Sequence, residues 1–281
     1  MNHFHKRWFQ LVTMYTAGQL TQESDKLIAM SGVAKAVQGE KSLIYLAGLW
    51  KEYIHLDLLW CMKDVPSARP AVYLAPSWSW ASVNGKVSNM VTDYDSTYNG
   101  VKKDCIIDPK CAAVIKNIVV TLRGISVTDA ASPFNGGYLD IKAPALKATR
   151  LFSSTKQLRL DLDLDIVSTL HGNHLLDVNF APDVVLADKS YHNGLHFNAD
   201  NNNSVSLSYI GESWICIRVL RIFSEHGRFL DHDRGLVLRK RISPLLKGHN
   251  GVEYERIGFF WTDRAERDPF GKSPLGTFRI T

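Results

Sequence analysis

Three aspartates in one alternating run are the first residues whose types and spacing could do chemistry. Asp161, Asp163 and Asp165 alternate with leucines in QLRLDLDLDIV, whose period of two predicts a strand over 157–167. Carboxylates on one strand face could bind calcium or serve as acid and base. Successive same-face positions lie about 6.6 Å apart, however, and no glycine-containing loop completes a calcium cage. We therefore interpret the three side chains as a solvated strand face that discourages edge pairing.

Histidines occur at three spacings that metal sites also use. These sets are His171 with His174, His192 with His196, and His226 with Asp231, His232 and Asp233. The second pair would share a face only on a helix, and the Asn193-Gly194 step inside it predicts a turn. The run 230–234 predicts a polar connection that leads into a strand. The sequence therefore predicts no metal site.

Nucleophilic catalysis would need an activated serine or cysteine, and neither is recognisable. The sequence has no G-x-S-x-G turn and no glycine-rich phosphate loop. Cys105 and Cys111 flank an Asp-Pro step in a predicted loop, without a neighbouring histidine to activate them. Together with Cys61 and Cys216 they follow no metal-ligand spacing, so we interpret all four as reduced thiols. We predict no catalytic residue, no cofactor and no metal ion.

The stretch APSWSWASVNGKV (75–87) places two tryptophans ahead of a turn signal. On a strand, Trp78 and Trp80 would point to one face, and Asn84-Gly85 would supply the two positive-φ residues of a tight hairpin turn. The pair could stack on a sugar or a base, or it could form a wall of the core, since each buried indole removes about 200 Å² from water. We favour the core wall, because two adjacent exposed indoles would promote aggregation.

The elements that must position these residues begin with a helical segment over 1–64. One helix face is formed by residues at i, i+3, i+4 and i+7, namely Trp8, Leu11, Val12 and Tyr15. A second helix is predicted between Thr21, a good capping residue, and Gly39, a natural stop. Its apolar face comprises Leu27, Met30, Val33, Ala34 and Val37. A third apolar segment, 43–60, is also predicted to be largely helical.

Alternation with a period of two dominates from residue 77 onward, between clusters of Gly, Asn, Asp and Pro. Strands are predicted at 114–127, 157–167, 204–209, 213–223, 234–240 and 254–261. The polar start of the 88–212 region predicts a long surface loop. Helices followed by strands predict an α+β fold, in which the N-terminal helices pack on a larger antiparallel sandwich or barrel-like region over 65–281. We expect one integrated domain.

The composition is that of a globular chain, with 281 residues of which 45% are hydrophobic and 22% charged. No apolar run approaches the roughly 20 residues of a membrane helix, and no apolar run follows the basic start to serve as a signal sequence. We therefore expect a cytoplasmic protein without a membrane span. Its net charge of +5 is spread over scattered basic residues, so we do not predict nucleic-acid binding. These residues include Lys102-Lys103, Arg218, Arg221 and 239–241.

Six blocks of sequence occur in a distinctive order. Three lie near the start: SDKLIAMSGVAKAV (24–37), YLAGLWKEYIHLDLLW (45–60), which contains Trp50 and Trp60, and RPAVYLAPSWSWASVNGKV (69–87). Three shorter blocks follow: WICIRVLRI (214–222), RGLVL (234–238) and YERIGFF (254–260). Together the six resemble the region after the HET domain in fungal heterokaryon-incompatibility proteins. The region 88–212 shows no matching motif.

The resemblance implies a fungal source and a link to non-self recognition and programmed cell death. In that family the HET core, which is similar to TIR-type signalling domains associated with NAD cleavage, carries an A-L-S-Y-x-W-G-like strand and a D-A-x-C-I-N-Q-like block. Neither is present in this sequence, so no catalytic residue is carried over.

The expected function is a non-catalytic regulatory or recognition module that restrains or presents a HET core, with that core or another protein as partner. The alternative is a ligand-binding β-module with a lectin-like aromatic surface, and a third reading places an active site in the unmatched middle region. The solvent exposure of Trp78 and Trp80 distinguishes the first two functions: buried indoles favour the regulatory module, and exposed indoles favour the ligand-binding module.

The first helix predicts a surface for such a partner. It carries more apolar residues than a single buried face needs, namely Phe4, Trp8, Phe9, Leu11 and Val12. We expect Phe4, Phe9 or both to lie on an exposed apolar patch. The alternative is that all five side chains are buried in the core of this chain.

Overall fold

The computed structural model describes residues 3–18, 22–64, 66, 68–89, 105–107, 114–122, 134–153, 158–163, 176–184, 191–199, 203–224, 232–242, 251–262 and 268–281. Helices precede a large, mainly antiparallel sheet, so the predicted α+β class is confirmed. The described residues between 3 and 89 contain the helices and four short strands, and we refer to them as the N-terminal layer.

Two helices open the N-terminal layer. Helix α1 spans His3–Thr16 and helix α2 spans Lys26–Lys41, preceded by a single 3₁₀ turn at Glu23–Asp25. The predicted cap, Thr21, lies outside the described residues. Helix α2 continues past the predicted stop at Gly39 and ends where Ser42 turns to a φ of 52°.

Each helix buries one face. Trp8, Phe9 and Val12 are buried on α1 because their spacing returns them to the same side of the helix. On α2, Met30 is buried as predicted, as are Leu27 and Ala34, whereas Val37 is half-buried and Val33 is exposed. The predicted apolar face of α2 is therefore only partly the buried one.

The segment 43–60 is not largely helical, so that prediction is wrong. It forms strands β1 (Tyr45–Leu46) and β2 (Leu49–Trp50), a 3₁₀ turn (Lys51–Tyr53), the short helix α3 (Ile54–Asp57) and the start of strand β3 (Trp60–Met62). Ala47 and Gly48 adopt φ values of 48° and 96° between β1 and β2. Two positive-φ residues form the turn that best matches the twist of a hairpin, and this reversal prevents a continuous helix.

The tryptophan pair does not lie on a strand, contrary to the prediction. Trp78 belongs to a turn, and Trp80 starts a 3₁₀ turn over Trp80–Ser82. Gly85 has a φ of 115°, but Asn84 is not among the positive-φ residues, so the predicted hairpin turn is wrong. Strand β4 (Val87–Asn89) pairs instead with β3, which comes from an earlier part of the chain.

Ten strands form the large sheet in the part of the chain that the structure describes. They are β5 (Cys105–Ile107), β6 (Val114–Leu122), β7 (Phe134–Ser153), β8 (Leu158–Asp163), β9 (Leu176–Pro182), β10 (Tyr191–Ala199), β11 (Asn203–Ser224), β12 (His232–Lys240), β13 (Glu253–Trp261) and β14 (Leu275–Ile280).

The sheet closes on itself as a barrel. Antiparallel pairs run from β7 through β8, β9, β13, β12 and β11 and then back to β7. Strand β14 pairs antiparallel with β7 and parallel with β13, so it fills the space between them at one end. A closed circuit leaves its member strands without free edges, and the barrel-like form of the predicted β-region is the one observed.

Most predicted strands are confirmed over the residues that the structure describes. The segments 114–127 and 157–167 contain β6 and β8, and the last two predicted strands match β12 and β13. The segments 204–209 and 213–223 form a single long strand, β11. The loop predicted at the start of 88–212 lies, from residue 90 to 104, outside the described residues.

Strand β13 connects the barrel to the N-terminal layer. Its residues are buried without interruption from Arg256 to Phe260, although side chains alternate between the two faces of a strand. Arg256 contacts the N-terminal layer, whereas Phe260 stacks on Phe270 with 5.6 Å between ring centroids. Because both faces of β13 are covered, the charged side chain of Arg256 is buried together with its apolar neighbours. Its charge therefore needs partners inside the protein.

Candidate functional site

A buried ion pair lies where the barrel meets the N-terminal layer. The Arg256 side chain on β13 is fully buried, and its Nε donates to Oδ2 of Asp183 at 2.7 Å. Asp183 follows β9, and its backbone N–H donates to the carbonyl of Ile257 at 2.9 Å, which fixes the carboxylate beside β13. The two charges neutralise each other in a place that water does not reach.

Arg256 also satisfies backbone groups of the N-terminal layer. Its Nη1 donates to the Leu58 carbonyl at 2.6 Å, and its Nη2 donates to the Trp60 carbonyl. The guanidinium carbon lies 3.6 Å from the centroid of the Trp60 ring, a cation–π contact at close range. Arginine suits this position because its planar fork donates in several directions while its face stacks on an aromatic ring.

The electrostatics of the pair follow from burial and attraction. Burial raises the pKa of Asp183, and the neighbouring Arg256 opposes that change. Burial lowers the pKa of Arg256, and Asp183 opposes that change in turn. Pairing therefore offsets the cost of burying both charges, and removal of either one would leave an uncompensated buried charge.

Ser77 adds a third connection at the same place. Its hydroxyl donates to the carbonyl of Thr281 and accepts from the backbone N–H of Arg256 at 3.0 Å. Trp60 Nε1 donates to the carbonyl of Trp78 at 2.9 Å. We call this set of five residues the joint: Trp60, Ser77, Trp78, Asp183 and Arg256.

The candidate tryptophans are structural. Trp50, Trp60, Trp78 and Trp80 are all 0% exposed, so the predicted core wall is confirmed. Trp80 Nε1 donates to the Gly48 carbonyl at 2.9 Å, and Ser79 Oγ donates to the Ala47 carbonyl at 2.5 Å. Residues 77–82, which we call the tryptophan segment, therefore pack on the β1–β2 turn. Neither indole of the pair offers a face for stacking on a ligand.

Asn84 ties helix α2 to the tryptophan segment. Its Oδ1 accepts from Lys26 Nζ at 3.0 Å, and its Nδ2 donates to Glu23 Oε1 at 2.5 Å. Lys26 Nζ also donates to the carbonyl of Val83 at 2.5 Å. Burial lowers the pKa of Lys26 to about 8, although Glu23 acts in the opposite direction. Gly85, with its positive φ, lets the chain turn beyond this contact.

A buried histidine–carboxylate pair was missed by the sequence analysis. His5 Nε2 lies 2.7 Å from Asp57 Oδ1, and the other Asp57 oxygen accepts from the Trp50 backbone N–H at 2.6 Å. Both side chains are fully buried, and burial raises the pKa of Asp57 while the bonds to His5 and Trp50 oppose that change. The pair holds α1 against α3, and the only sequence signal for it is the position of His5 on the same helix face as Trp8 and Phe9.

Residues 232–234 of the predicted polar connection belong to a strand instead, whereas 230 and 231 lie outside the described residues. Strand β12 begins at His232, and Asp233 and Arg234 are buried. Asp233 Oδ1 lies 3.4 Å from Arg218 Nη1, and Oδ2 lies 3.5 Å from Arg221 Nη1. Asp233 lies opposite Arg221 in the register of β11 and β12, a pairing that the polar composition of the run did not indicate.

The other predicted candidates do not assemble into a site among the described residues. The turn predicted at Asn193-Gly194 is wrong, because His192 and His196 lie in strand β10 with a register shift between them. His171, His174, His226, Asp231, Asp165 and Cys111 lie outside the described residues. Within the described ranges, no group of three or more His, Cys, Asp or Glu side chains is placed to hold a metal ion.

Asp161, Asp163 and Cys105 lie in strands β8 and β5, and only their backbone register is described. Asp161 faces Arg150 of β7 on one side and Asp177 of β9 on the other, so strand β8 is paired on both edges. Cys61 and Cys216 are free and buried, and burial raises the pKa of the Cys61 thiol to about 11. A protonated, buried thiol is a poor nucleophile.

The exposed patch expected on helix α1 is not found at Phe4 and Phe9. Phe9 is 1% exposed, and Phe4 is half-buried against Trp50 and Tyr53, with 5.6 Å between ring centroids in each case. Exposure at Phe9 is therefore ruled out, whereas Phe4 is neither exposed nor fully covered. The first helix uses its additional aromatic surface to cover Trp50.

Comparison with protein-family models, with curated proteins and with solved structures finds no match for this chain. Among the helices of the described residues, none combines the length and apolar character needed to cross a membrane.

Proposed function

We propose that this chain is a non-catalytic regulatory or recognition module of the heterokaryon-incompatibility type, which acts by contacting a HET signalling core or another protein. The observation that carries the proposal is that four of the six blocks with the family resemblance meet at the joint and at the contacts around it. Residues of these resembling blocks therefore pack together in the same buried region.

Buried hydrogen bonds connect these blocks directly. The block 24–37 reaches the block 69–87 through Lys26 and the Val83 carbonyl. The block 45–60 reaches 69–87 through Trp60 and the Trp78 carbonyl. The block 254–260 reaches both of them through Arg256, which binds the Trp60 carbonyl and the Ser77 hydroxyl. Four blocks far apart in sequence are thus held together by side chains that their motifs contain.

The chemistry of the joint supports a non-catalytic role. Arg256 and Asp183 are fully buried, and their polar atoms are directed at each other and at backbone carbonyls. A catalytic acid, base or nucleophile has to reach its substrate, whereas these groups reach only their own chain. The joint holds the N-terminal layer in a fixed position on the barrel, as a module that presents a surface requires.

The ligand-binding alternative loses its main support. A lectin-like surface would need Trp78 and Trp80 exposed with their faces accessible, and both are fully buried. A nucleic-acid role is also not favoured by the basic residues of 239–241. Arg239 Nη2 lies 2.6 Å from Glu255 Oε1, and Arg241 lies 3.8 Å from the other oxygen of the same carboxylate, which offsets part of their charge. We place the module in the cytoplasm, where free thiols such as those of Cys61 and Cys216 persist.

The test uses the purified chain and a separately purified HET core that carries the two family motifs. Isothermal titration calorimetry measures their binding, and release of nicotinamide from NAD measures the activity of the core. We expect the chain alone to release no nicotinamide and the chain added to the core to change its rate of release.

The matched variants are Arg256→Met, which breaks the joint, and Arg239→Met, which removes a partly exposed ion pair on the neighbouring strand. The first should lose the effect on the core, and the second should keep it. Nicotinamide release by the chain alone that survives repurification would overturn the non-catalytic part of the proposal. An absence of both binding and any effect on the core would overturn the regulatory part.

A further inference from the structure

The buried pair of His5 and Asp57 fixes the N-terminal end of helix α1 on helix α3. His5 Nε2 lies 2.7 Å from Asp57 Oδ1, and neither side chain is exposed to solvent. The rings of Phe9 and Tyr53 lie beside the imidazole, with 5.2 and 5.8 Å between ring centroids. Water therefore does not reach the histidine or the carboxylate while α1 is in place.

The hydrogen bonds of the pair leave it two protonation states. Asp57 Oδ2 accepts from the Trp50 backbone N–H at 2.6 Å, and the short distance between Asp57 Oδ1 and His5 Nε2 places one proton between these two atoms. His5 Nδ1 is buried and has no hydrogen-bond partner among the described residues. With a second proton on Nδ1 the pair is neutral, and without that proton it carries one buried negative charge.

Burial favours the neutral state of the pair. A charge that is buried without a partner of opposite sign costs more free energy than one unpaired N–H group. Burial raises the pKa of Asp57, the contacts with His5 and Trp50 oppose that change, and the Glu52 carboxylate raises the pKa further. Burial also raises the pKa of Tyr45, so its phenol near Asp57 is neutral and does not offset a negative charge.

Other charged or titratable groups near the pair are in contact with solvent. Lys6 and Arg7 come next on α1 and are half-buried and exposed, and His55 on α3 is half-buried. The exposed Lys41 places its Nζ 5.7 Å from the centroid of the Phe4 ring. Water and salt screen such groups, so they act on the buried pair more weakly than the pair acts on itself.

Helix α1 is attached separately at its two ends. At the C-terminal end, the Tyr15 hydroxyl donates to the Lys26 carbonyl at 3.0 Å, and Thr16 Oγ1 accepts from the Val87 N–H at 3.1 Å. At the N-terminal end, the buried pair makes the contact with α3. A change in the charge of the pair therefore acts on the N-terminal end and leaves the contacts of the other end in place.

We propose that His5 and Asp57 form a proton-dependent latch, in which the neutral pair fixes the N-terminal end of α1 and loss of one proton at higher pH releases that end. Release would uncover Trp50, on which Phe4 and Trp8 pack with 5.6 and 5.1 Å between ring centroids. This proposal does not depend on the regulatory function proposed above.

The direction of the pH dependence follows from proton counting. A histidine in water loses its proton above about pH 6.5, whereas an aspartate in water is ionised at that pH. Above about pH 6.5 the closed pair of His5 and Asp57 therefore binds one proton more than the released pair. The closed state is fully favoured below that pH, and this advantage is lost as the pH rises.

The test measures amide hydrogen exchange along α1 of the full chain by mass spectrometry at a series of pH values, corrected for the intrinsic exchange rate. We expect the opening constant of the first two turns to rise above about pH 6.5 by up to tenfold per pH unit, because one proton is released on opening. The last turn, which contains Tyr15 and Thr16, should change less.

Asp57→Asn makes the test specific, because it reverses the sign of the pH dependence. The amide is neutral at every pH, so protonation of His5 below about pH 6.5 now buries a charge without a partner. Opening of the first two turns should therefore increase as the pH falls. His55→Gln is the matched control on the same short helix, and it should retain the rise that the unmodified chain shows.

A second variant keeps the proposal testable if Asp57→Asn does not fold. The double variant His5→Gln with Asp57→Asn places two neutral amides at the pair, and its opening should not depend on pH. A pH-independent opening constant in the unmodified chain would overturn the proposal, as would an unchanged rise in either Asp57 variant. An equal rise in all turns of α1 and in α2 would also overturn it, because unfolding would then be global.

Discussion

The guanidinium carbon of Arg256 lies 3.6 Å from the centroid of the Trp60 ring, so a strand of the barrel and a strand of the N-terminal layer meet through one stacked pair. The same guanidinium donates to Asp183 at 2.7 Å and to the Leu58 carbonyl at 2.6 Å. The position of the N-terminal layer on the barrel therefore depends on one fully buried side chain, and its removal is the most direct test of the joint.

Arg256→Met should lower the free energy of unfolding by about 3–5 kcal/mol, because the Asp183 carboxylate is left buried and unpaired. Adding Asp183→Asn should recover part of that loss, since the remaining charge is then removed. Urea denaturation of the two single variants and the double variant gives the coupling energy. Arg239→Met, in a partly exposed pair, should cost less than about 1 kcal/mol. A cost for Arg256→Met no larger than that control would contradict the structural role of the pair.

Trp80→Ala should lower the free energy of unfolding by about 3–5 kcal/mol, the range found when a buried aromatic side chain is emptied. The loss combines an empty space in the core with an unsatisfied carbonyl at Gly48, which now accepts from the indole. Chemical denaturation measures it, with the exposed Val72→Ala as the control within about 0.5 kcal/mol of the unmodified chain. A loss for Trp80→Ala below about 1 kcal/mol would show that the indole does not contribute to the core.

Gly48→Ala should destabilise the protein by about 2–3 kcal/mol, because a positive φ and a crowded site both oppose a side chain there. The φ is 96°, and a β-carbon would lie 2.7 Å from Trp80 Nε1. Gly32→Ala in helix α2 is the matched control, since a β-carbon there meets nothing within 4 Å. It should stabilise the protein by about 1 kcal/mol through helix propensity. Thermal denaturation shows whether each substitution lowers or raises the stability. Equal changes in the two variants would contradict the turn described at Gly48.

Lys26 should make the stability depend on pH between about 8 and 10.5. Its pKa in the folded chain is lowered to about 8 from the ordinary value of 10.5, mainly by burial. Between pH 8 and 10.5 the Lys26 side chain binds more protons in the unfolded chain than in the folded chain, so the free energy of unfolding rises with pH. The contribution of neutral Lys26 to stability is therefore fully present above the ordinary pKa and is lost as pH falls toward 8. The unfolding free energy of Lys26→Met should consequently rise less with pH across this window than that of the unmodified chain.

The control for this pH dependence is Lys35→Met, an exposed lysine on the same helix. It should leave the slope of unfolding free energy against pH unchanged. Chemical denaturation at a series of pH values from 7 to 11 provides the slopes. If Lys26→Met and the unmodified chain have parallel slopes, the Lys26 ammonium is not buried in the way the structure describes.

The sequence by itself determined the local patterns of this protein. Runs rich in β-branched and apolar residues, bounded by clusters of Gly, Asn, Asp and Pro, identified β6, β8, β12 and β13, because both features are properties of consecutive residues. The burial of Trp78 and Trp80 was also predictable, since two adjacent large aromatic side chains favour a core. These properties depend on neighbours in the chain, and composition and spacing are sufficient to predict them.

Only the tertiary structure decided which distant residues meet. The segment 43–60 is as apolar as a helix would be, but contacts with the tryptophan segment favour a turn at Ala47 and Gly48, as the bond from Ser79 to the Ala47 carbonyl shows. Asp183 and Arg256 are 73 positions apart, and nothing near either residue indicates a partner. Pairing of buried charges depends on strand order and register, which are set by the closed barrel as a whole and not by any local stretch of sequence.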